Sequence, residues 1–494
     1  MSDPVNETAL EPQPRRQRRR VIVPPGVVAV PGVIAVTAVV VVSLALSATW
    51  ALGIHASLMG AYWAASALGG LSLTVAWLAL RRWGRGAWAG GFGRGAFVVL
   101  VVAAAARIAV AIAGPPFLSD DIWRYIHDGR TLGLLGDNPY AASPAETDPA
   151  YRGNNPQLVT IYQPASQWVF AALARVAAWP HALAADTVFR LGFVAIDCGT
   201  IALLLLALRR RGRAPWWAML YAWHPLAITE VAGAGHQDPI GIALLVASLT
   251  VADLAVDARR SGARLARAAG CGALLAASVA VKPIVGPVAI FIAVSWWRTL
   301  ARDRGPAVAL AGVAGLLTLA GGYLPFAAME GGLSRMFETV STFTRVWSFN
   351  ASLHALAEAA VGSKRVADLA MGSLLGATVA VLAWRVWRTR ARDDPWAAEG
   401  GYLLAALLLS STVHPWYVLW PLALLPLSRG VATWVLSLTV TASYAAWLSL
   451  EAGGSYAVPA WLRWLEYGPV YAALAVSGWL AIRARGRSGC VVRR

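Results

Sequence analysis

The sequence predicts an all-α, polytopic membrane protein, and three observations predict it. Of its 494 residues, 58% are hydrophobic and only 14% charged, whereas a soluble domain carries about 25% charged residues. Fourteen apolar runs recur along the chain, the signature of repeated bilayer crossings. The runs are continuous and lack the alternation of a membrane barrel, which leaves helices as the spanning element.

The first 26 residues are polar, rich in Pro and Arg, and are expected to form a disordered basic tail. The run at 27–50 exceeds a signal-peptide core and has no convincing cleavage site after it, so it is expected to be a retained anchor. Further runs follow at 56–80, 96–113, 187–208, 214–233, 240–256, 268–281, 284–297, 307–326, 366–384, 400–414, 416–428, 431–449 and 468–483. Residues 27–483 are thus expected to form one transmembrane domain of about 13–14 segments, with 484–494 a second basic tail. Two long segments interrupt the runs. Residues 114–186 are rich in Pro, Asn, Asp and Tyr, with an apolar stretch, Gln167 to Ala178, expected to be interfacial or re-entrant. Residues 327–365 carry Arg335, Arg345, Trp347, Asn350 and His354.

The net charge of +17 is explained by its distribution. With the N-terminus in the cytoplasm, on the strength of Arg15–Arg20, alternate loops on that side collect 30 of the 42 basic residues and 9 of the 25 acidic ones. That side therefore carries +21 and the other −4, an asymmetry that orients a membrane protein. The basic charge sets topology and meets anionic lipid headgroups; no nucleic-acid partner is implied. Both termini are expected to be cytoplasmic in the plasma membrane. Cys198, Cys271 and Cys490 are too few and scattered for a disulfide framework or a metal knot.

The alternation places an unusual set of polar residues on the non-cytoplasmic side: Asp120, Asp121, His236, Asp238, Lys282, Arg345 and His414. Ionisable residues at such positions are costly and usually functional. Asp120 and Asp121 repel each other, so their pKa values should separate and one can serve as a general base. Capping of the helix that begins IWRYIHDGR is the alternative, with Ser119 nearby. Lys282 is followed by Pro283, which breaks the helix, and its cation suits a lipid-borne phosphate; snorkelling is the alternative. Arg345 is a second phosphate candidate. His236, Gln237, Asp238, His414, Trp416 and Tyr417 are candidates for substrate contact, as are Arg124 and Tyr162. His236 and Asp238 lack companions at metal-site spacing, and no Walker A, dinucleotide or HExxH motif occurs. No cofactor is required by the sequence, although a divalent cation is compatible with the acidic pair.

The segment SDDIWRYIHDGR, followed by GDNPY and TIYQPASQWVF, resembles the first outer loop of the GT-C superfamily of integral-membrane glycosyltransferases. There an acidic pair follows an early helix and a Tyr-Pro-Pro-like element opens the next; here the element is Tyr162-Gln163-Pro164, departing at Gln163. GHQDP, Lys282-Pro283 and HPWYVLW are similar to the polyprenol-phosphate-mannose-dependent mannosyltransferases of actinobacteria. The likeness runs from about residue 96 to 427. It implies a polyprenyl-phosphate donor carrying mannose and a glycan or glycolipid acceptor outside the cytoplasm. Asp120 or Asp121 would then be the base, and Lys282 and Arg345 would stabilise the leaving phosphate. The alternative class is a transporter or flippase of lipid-linked sugars, which would share many broken helices and buried charges. No clear inverted repeat is visible, and the polar residues gather on one face instead of the midplane.

Overall fold

The computed structural model describes residues 26–50, 55–83, 91–388 and 394–491. The expected basic tail at the N-terminus lies almost wholly outside these residues. Among them the fold is all-α: helices follow one another along the chain, and the sole β-type pairing is an isolated bridge between Phe349 and Thr412.

The helices are α1 (Gly26–Trp50), α2 (His55–Trp83), α3 (Gly91–Ile112), α4 (Asp121–Arg130), α5 (Pro164–Ala177), α6 (Ala185–Arg210), α7 (Asp238–Val256), α8 (Ser261–Val279) and α9 (Val288–Thr299). They continue with α10 (Arg304–Ala328), α11 (Ser334–Val346), α12 (Leu353–Val361), α13 (Lys364–Arg388), α14 (Asp394–Leu409), α15 (Leu419–Ser428), α16 (Val431–Thr439), α17 (Ala445–Glu451) and α18 (Ala460–Val491). Eight stretches among the described residues are helical, long and apolar enough to cross a bilayer unaided: α1, α2, α3, α6, α7, α10, α13 and the near-continuous Val431–Glu451. The protein is therefore a multi-pass membrane protein. The other apolar runs are also helical: α9, α14 and α15 are shorter, the run at 214–233 is interrupted, and α8 and α18 are long but more polar. α5, at 14 residues, spans about 21 Å, short of a hydrocarbon core of roughly 30 Å. α10 and α13 lie at the periphery, with Leu316, Leu317, Leu324 and Leu369 exposed, as a lipid-facing surface requires.

The run at 214–233 departs most from expectation. It is a chain of short turns, Pro215–Ala218, Met219–Ala222, Pro225–Ile228 and Thr229–Gly233. Pro225 lacks an N–H and its ring displaces the preceding carbonyls, so the helix breaks at Trp223-His224. The released groups are recaptured by neighbours. The Arg107 guanidinium of α3 donates to Ala222 O at 2.6 Å and pairs with Asp197 of α6 at 2.8 Å. Tyr221 also donates to Asp197, Trp223 Nε1 donates to Val99 O at 3.0 Å, and the Leu226 N–H donates to His224 Nδ1 at 3.1 Å. Arg107 and Asp197 are both fully buried.

A second set of ion pairs marks the far end of the same helices. Arg210 meets Asp257, Arg211 meets Asp253, and Arg264 meets Asp303. Asp238 and Lys282 sit at the opposite ends of α7 and α8, so the bundle has an arginine-rich end and an end bearing the candidate residues.

Removing one partner of the buried pair should be costly, because the survivor is left charged and dry. Arg107→Met is expected to destabilise by about 3–5 kcal/mol. Thermal unfolding in detergent micelles checks this; the double variant Arg107→Met, Asp197→Leu should recover part of the loss. An unchanged melting temperature for Arg107→Met would contradict the assignment.

Candidate active site

A cavity of about 680 Å³ opens at the end of the bundle opposite the arginine pairs, within the size range of ligand sites. Its wall takes residues from segments far apart in sequence: the acidic pair, the loop at 154–163, the start of α7, the Lys282 turn, α11, the 414–417 turn, α17 and Tyr456.

The acidic pair sits where α3 gives way to α4. Leu118, immediately upstream, holds φ at 70°, a conformation that costs a non-glycine residue about 1–3 kcal/mol. Its carbonyl is fixed by the Trp447 indole at 3.1 Å. Neither carboxylate caps α4: the Asp121 N–H donates to Ser119 Oγ at 3.2 Å, and Asp120 makes no side-chain cap. With the helix end served by Ser119, both carboxylates face the cavity. One amide bridges them. Asn154 Nδ2 donates to Asp120 Oδ1 at 2.8 Å and to Asp121 Oδ1 at 3.0 Å. Tyr162 Oη donates to Asp121 Oδ2 at 3.2 Å. Burial, and then the charge of Asp121, push the Asp120 carboxyl up to about 6, so its ionisation falls near neutrality.

Arg124 lines the cavity but acts on the loop opposite. Its guanidinium donates to the carbonyls of Asn155 and Leu158, each at 2.8 Å, and of Asn154 at 3.2 Å. It thereby holds Asn154 against the carboxylates. Tyr162 is fixed in turn: its carbonyl accepts from Tyr140 Oη at 2.7 Å and Gln167 Nε2 at 3.2 Å. Gln163, where the sequence departs from a Tyr-Pro-Pro element, adopts extended backbone with φ −72° and ψ 162°, and Pro164 still begins α5. The turn forms with Gln in place because that conformation is the one proline would impose.

Behind Asp121 lies His236, with Nε2 at 3.9 Å from Asp121 Oδ2 and Nδ1 at 3.0 Å from Glu230 Oε2. Glu230 also accepts from Tyr444, and both Glu230 and His236 are wholly buried. His236 begins a stack of rings: Trp416 at 3.9 Å, then His414 at 4.3 Å, Phe349 at 4.5 Å and Tyr456 at 5.3 Å. The Phe349↔Thr412 bridge holds this stack, with the Val413 N–H donating to Phe349 O at 2.8 Å.

On the other wall, Lys282 Nζ donates to Asp238 Oδ1 at 2.7 Å and lies 3.8 Å above the Tyr417 ring. Trp420 Nε1 donates to the same Asp238 oxygen. An ammonium has three donors, so the pairing with Asp238 leaves two. Gln237 accepts from Ser166 at 2.6 Å. Of the residues expected from sequence, Asp120, Asp121, Arg124, Tyr162, Gln237, Asp238, Lys282, His414, Trp416 and Tyr417 share the cavity wall. His236 packs one layer behind. Arg345 stands apart: it is exposed and its guanidinium donates to Ser341, one turn back on α11. Asn154 and Glu230 were not among the expected residues. Glu230 had a signal, a carboxylate within an apolar run; Asn154 had none beyond its polar loop. Among the described residues no group of three or more His, Cys, Asp or Glu side chains is placed to hold a metal ion.

The family model described as alpha-(1->6)-mannopyranosyltransferase, N-terminal domain, matches residues 25–298. That is more than half of the chain, so the chain belongs to this family, and it is a membrane mannosyltransferase. No curated protein matches it.

Because the folded state raises the Asp120 pKa, its ionisation opposes folding as pH climbs from the ordinary aspartate range through about 6. Asp120→Asn should therefore be more stable than the parent at pH 7.5, by up to about 3 kcal/mol, and melt at a higher temperature. The gain should vanish as the pH falls toward 4. A melting temperature in micelles that is equal or lower at pH 7.5 would contradict the burial argument.

Proposed function

We propose that this family member transfers a mannosyl unit from a polyprenyl-phosphate donor to a hydroxyl of a glycan or glycolipid on the extracytoplasmic side of the plasma membrane. The observation that carries the proposal is the cavity itself. It sets a tethered carboxylate pair and a cation, Lys282, on one wall surface formed by segments that are distant in sequence. The expected positive-inside asymmetry of the loops supports an extracytoplasmic setting for that end of the bundle.

In the proposed reaction Asp121 is the base. Its Oδ2 is oriented by the Tyr162 hydroxyl and its Oδ1 by Asn154, so the carboxylate is held before the acceptor arrives. It removes the acceptor hydroxyl proton as that oxygen attacks the anomeric carbon and the carbon–phosphate-oxygen bond breaks. The leaving polyprenyl phosphate gathers negative charge, which the two remaining Lys282 donors meet. Asp120, its carboxyl pushed up by burial and by the neighbouring charge, shares the Asn154 amide with the base and holds that amide in place. Asp238 and Tyr417 fix the ammonium in place without consuming all its donors. His414, Trp416 and Gln237 line the space between these poles and would contact the sugar. A phosphate leaving group needs no nucleotide pocket, which agrees with the lack of nucleotide motifs in the sequence. Arg345 has no part in this arrangement.

Two variants test the roles, assayed with membranes and radiolabelled polyprenyl-phosphate mannose. Asp121→Asn should lower transfer by about 10²–10⁴-fold while membrane insertion and donor binding survive; Asp120→Asn should lose less and shift the acid limb of the pH profile. Parental rates for Asp121→Asn would remove the base from the scheme. Lys282→Ala should weaken donor use by about 2–4 kcal/mol, and Lys282→Arg by less, because charge matters more than shape. If Lys282→Ala matches the parent, the lysine merely snorkels.

A further inference from the structure

Behind the acidic pair lie two ionisable side chains, Glu230 and His236, that the reaction as written leaves unused. Both are wholly buried, and ionisable groups in such a setting are costly unless they serve a purpose. The local sequence brings them to the base. Residues Thr229–Gly233 make one wide turn, and the His236 N–H then returns to the Glu230 carbonyl at 2.9 Å. Two glycines let this turn press against the segment that leads into α4. At Gly233 a Cβ would run into the Phe117 ring, and at Gly235, where φ is 76°, into Ile122. His236 is thereby delivered beside Asp121.

The resulting order is Asp121, His236, Glu230. The imidazole Nε2 lies 3.9 Å from Asp121 Oδ2, and Nδ1 lies 3.0 Å from Glu230 Oε2. Among the described residues, neither ring nitrogen nor Glu230 Oε2 has an aligned hydrogen-bond partner. Catalytic contacts are often long or misaligned before substrate binds and tighten afterwards. Trp416, stacked on the imidazole at 3.9 Å, holds the plane of the ring. The other groups that face the pair are engaged elsewhere. Tyr444 donates to Glu230 Oε1, with Tyr62 edge-on behind it at 6.1 Å. Arg190, beside Gly235, pairs with Asp186 at 2.8 Å. His414 and Tyr456 lie further along the ring stack, and Asp120 is tied to Asn154. A carboxylate only accepts hydrogen bonds, so Glu230 draws the imidazole proton to Nδ1 and leaves the Nε2 lone pair turned to Asp121.

We propose that His236, held in this tautomer by Glu230, is the terminal proton acceptor of the transfer reaction and takes the acceptor's proton through Asp121. This rests on the reading of Asp121 as the base. A lone pair of the acceptor oxygen forms the bond to the anomeric carbon. The electron pair of the broken carbon–oxygen bond stays on the phosphate, and the O–H pair stays on the acceptor oxygen. The proton passes to Asp121 and from its Oδ2 to Nε2, where an imidazolium forms between two carboxylates. Asp121 is ionised again within the same step, and an ordinary imidazole holds a proton more tightly than an ordinary carboxylate. Once product leaves, the proton returns through Asp121 to water in the open cavity. Glu230 touches no reacting atom. It is a positioning residue that fixes the tautomer and stabilises the imidazolium, as a buried carboxylate does for the histidine of a hydrolase triad.

The test uses the full-length protein in proteoliposomes, radiolabelled polyprenyl-phosphate mannose as donor and octyl α-mannoside as acceptor, followed in single turnovers so that product release does not mask the step. His236→Phe keeps a flat ring against Trp416 and removes both nitrogens. It is expected to lower the single-turnover rate by about 10²-fold or more, with donor binding and melting temperature as in the parent. Glu230→Gln keeps the shape but accepts either tautomer, and should lower the rate by about tenfold or more. Rates in mixtures of light and heavy water supply a readout that a packing role does not move. The parent's plot against deuterium fraction should bow, because more than one proton moves in the step, and that of His236→Phe should be straight. A parental rate for His236→Phe, or a straight plot for the parent, overturns the relay and leaves the ring as packing against Trp416. Should His236→Phe fail to fold, a parental rate for Glu230→Gln overturns the relay in its place. Parental rates for Asp121→Asn overturn the base reading and the relay together, whereas a dead Asp121→Asn beside a fully active His236→Phe overturns the relay alone.

Discussion

In a bilayer a broken helix must find partners for every backbone group it releases, and several helices of this protein break around the cavity. The breaks satisfy one another. The Phe117 N–H reaches Gly233 O, the Ala165 N–H reaches Ala280 O at 3.0 Å, and the Phe349 N–H reaches Ser411 O at 3.0 Å. Side chains complete the set: Trp447 to Leu118 O, and Tyr402 to Ile284 O at 2.6 Å. Each link joins two segments that each contribute to, or adjoin, the cavity wall. The site is therefore where the interrupted backbones close on each other, and its shape is a consequence of that closure.

The same closure arranges the charge. Two adjacent carboxylates would push apart in a dry setting, and here a single amide from Asn154 lies on both. Arg124 holds the Asn154 loop through three carbonyls, so a cation supports the pair without contacting it. Lys282 is likewise paired and capped before any ligand arrives. The cavity thus carries both signs of charge in fixed positions, and little reorganisation is needed when charge develops during transfer. Leu118, strained at positive φ, is part of the cost of presenting the pair at the wall.

Much of this was legible in the residues. The apolar runs gave helices, and the acidic pair, the Lys-Pro step and the His-Pro-Trp-Tyr turn were visible as polar interruptions of those runs. The alternation of loops placed them on one side but could not bring them together; only the links between breaks do that. The run at 214–233 read as one helix because its composition is apolar throughout, although Pro225 marked the break and Glu230 marked a buried carboxylate. Asn154 was opaque, since a polar residue in a polar loop carries no pattern, and its role depends on Arg124 thirty residues earlier. Arg345 illustrates the reverse: chemistry and topology recommended it, but on α11 its guanidinium turns back to Ser341, away from the wall.

The central claim is that donor phosphate rests at Lys282 with the sugar between it and Asp121. The most direct measurement is a structure of the protein with a non-cleavable polyprenyl phosphonate analogue of the mannosyl donor. The account predicts phosphonate oxygens within hydrogen-bond reach of Lys282 Nζ, about 2.7–3.1 Å, with the anomeric carbon turned toward the acidic pair. Phosphonate bound instead among Arg210, Arg211 and Arg264 at the opposite end of the bundle would contradict it.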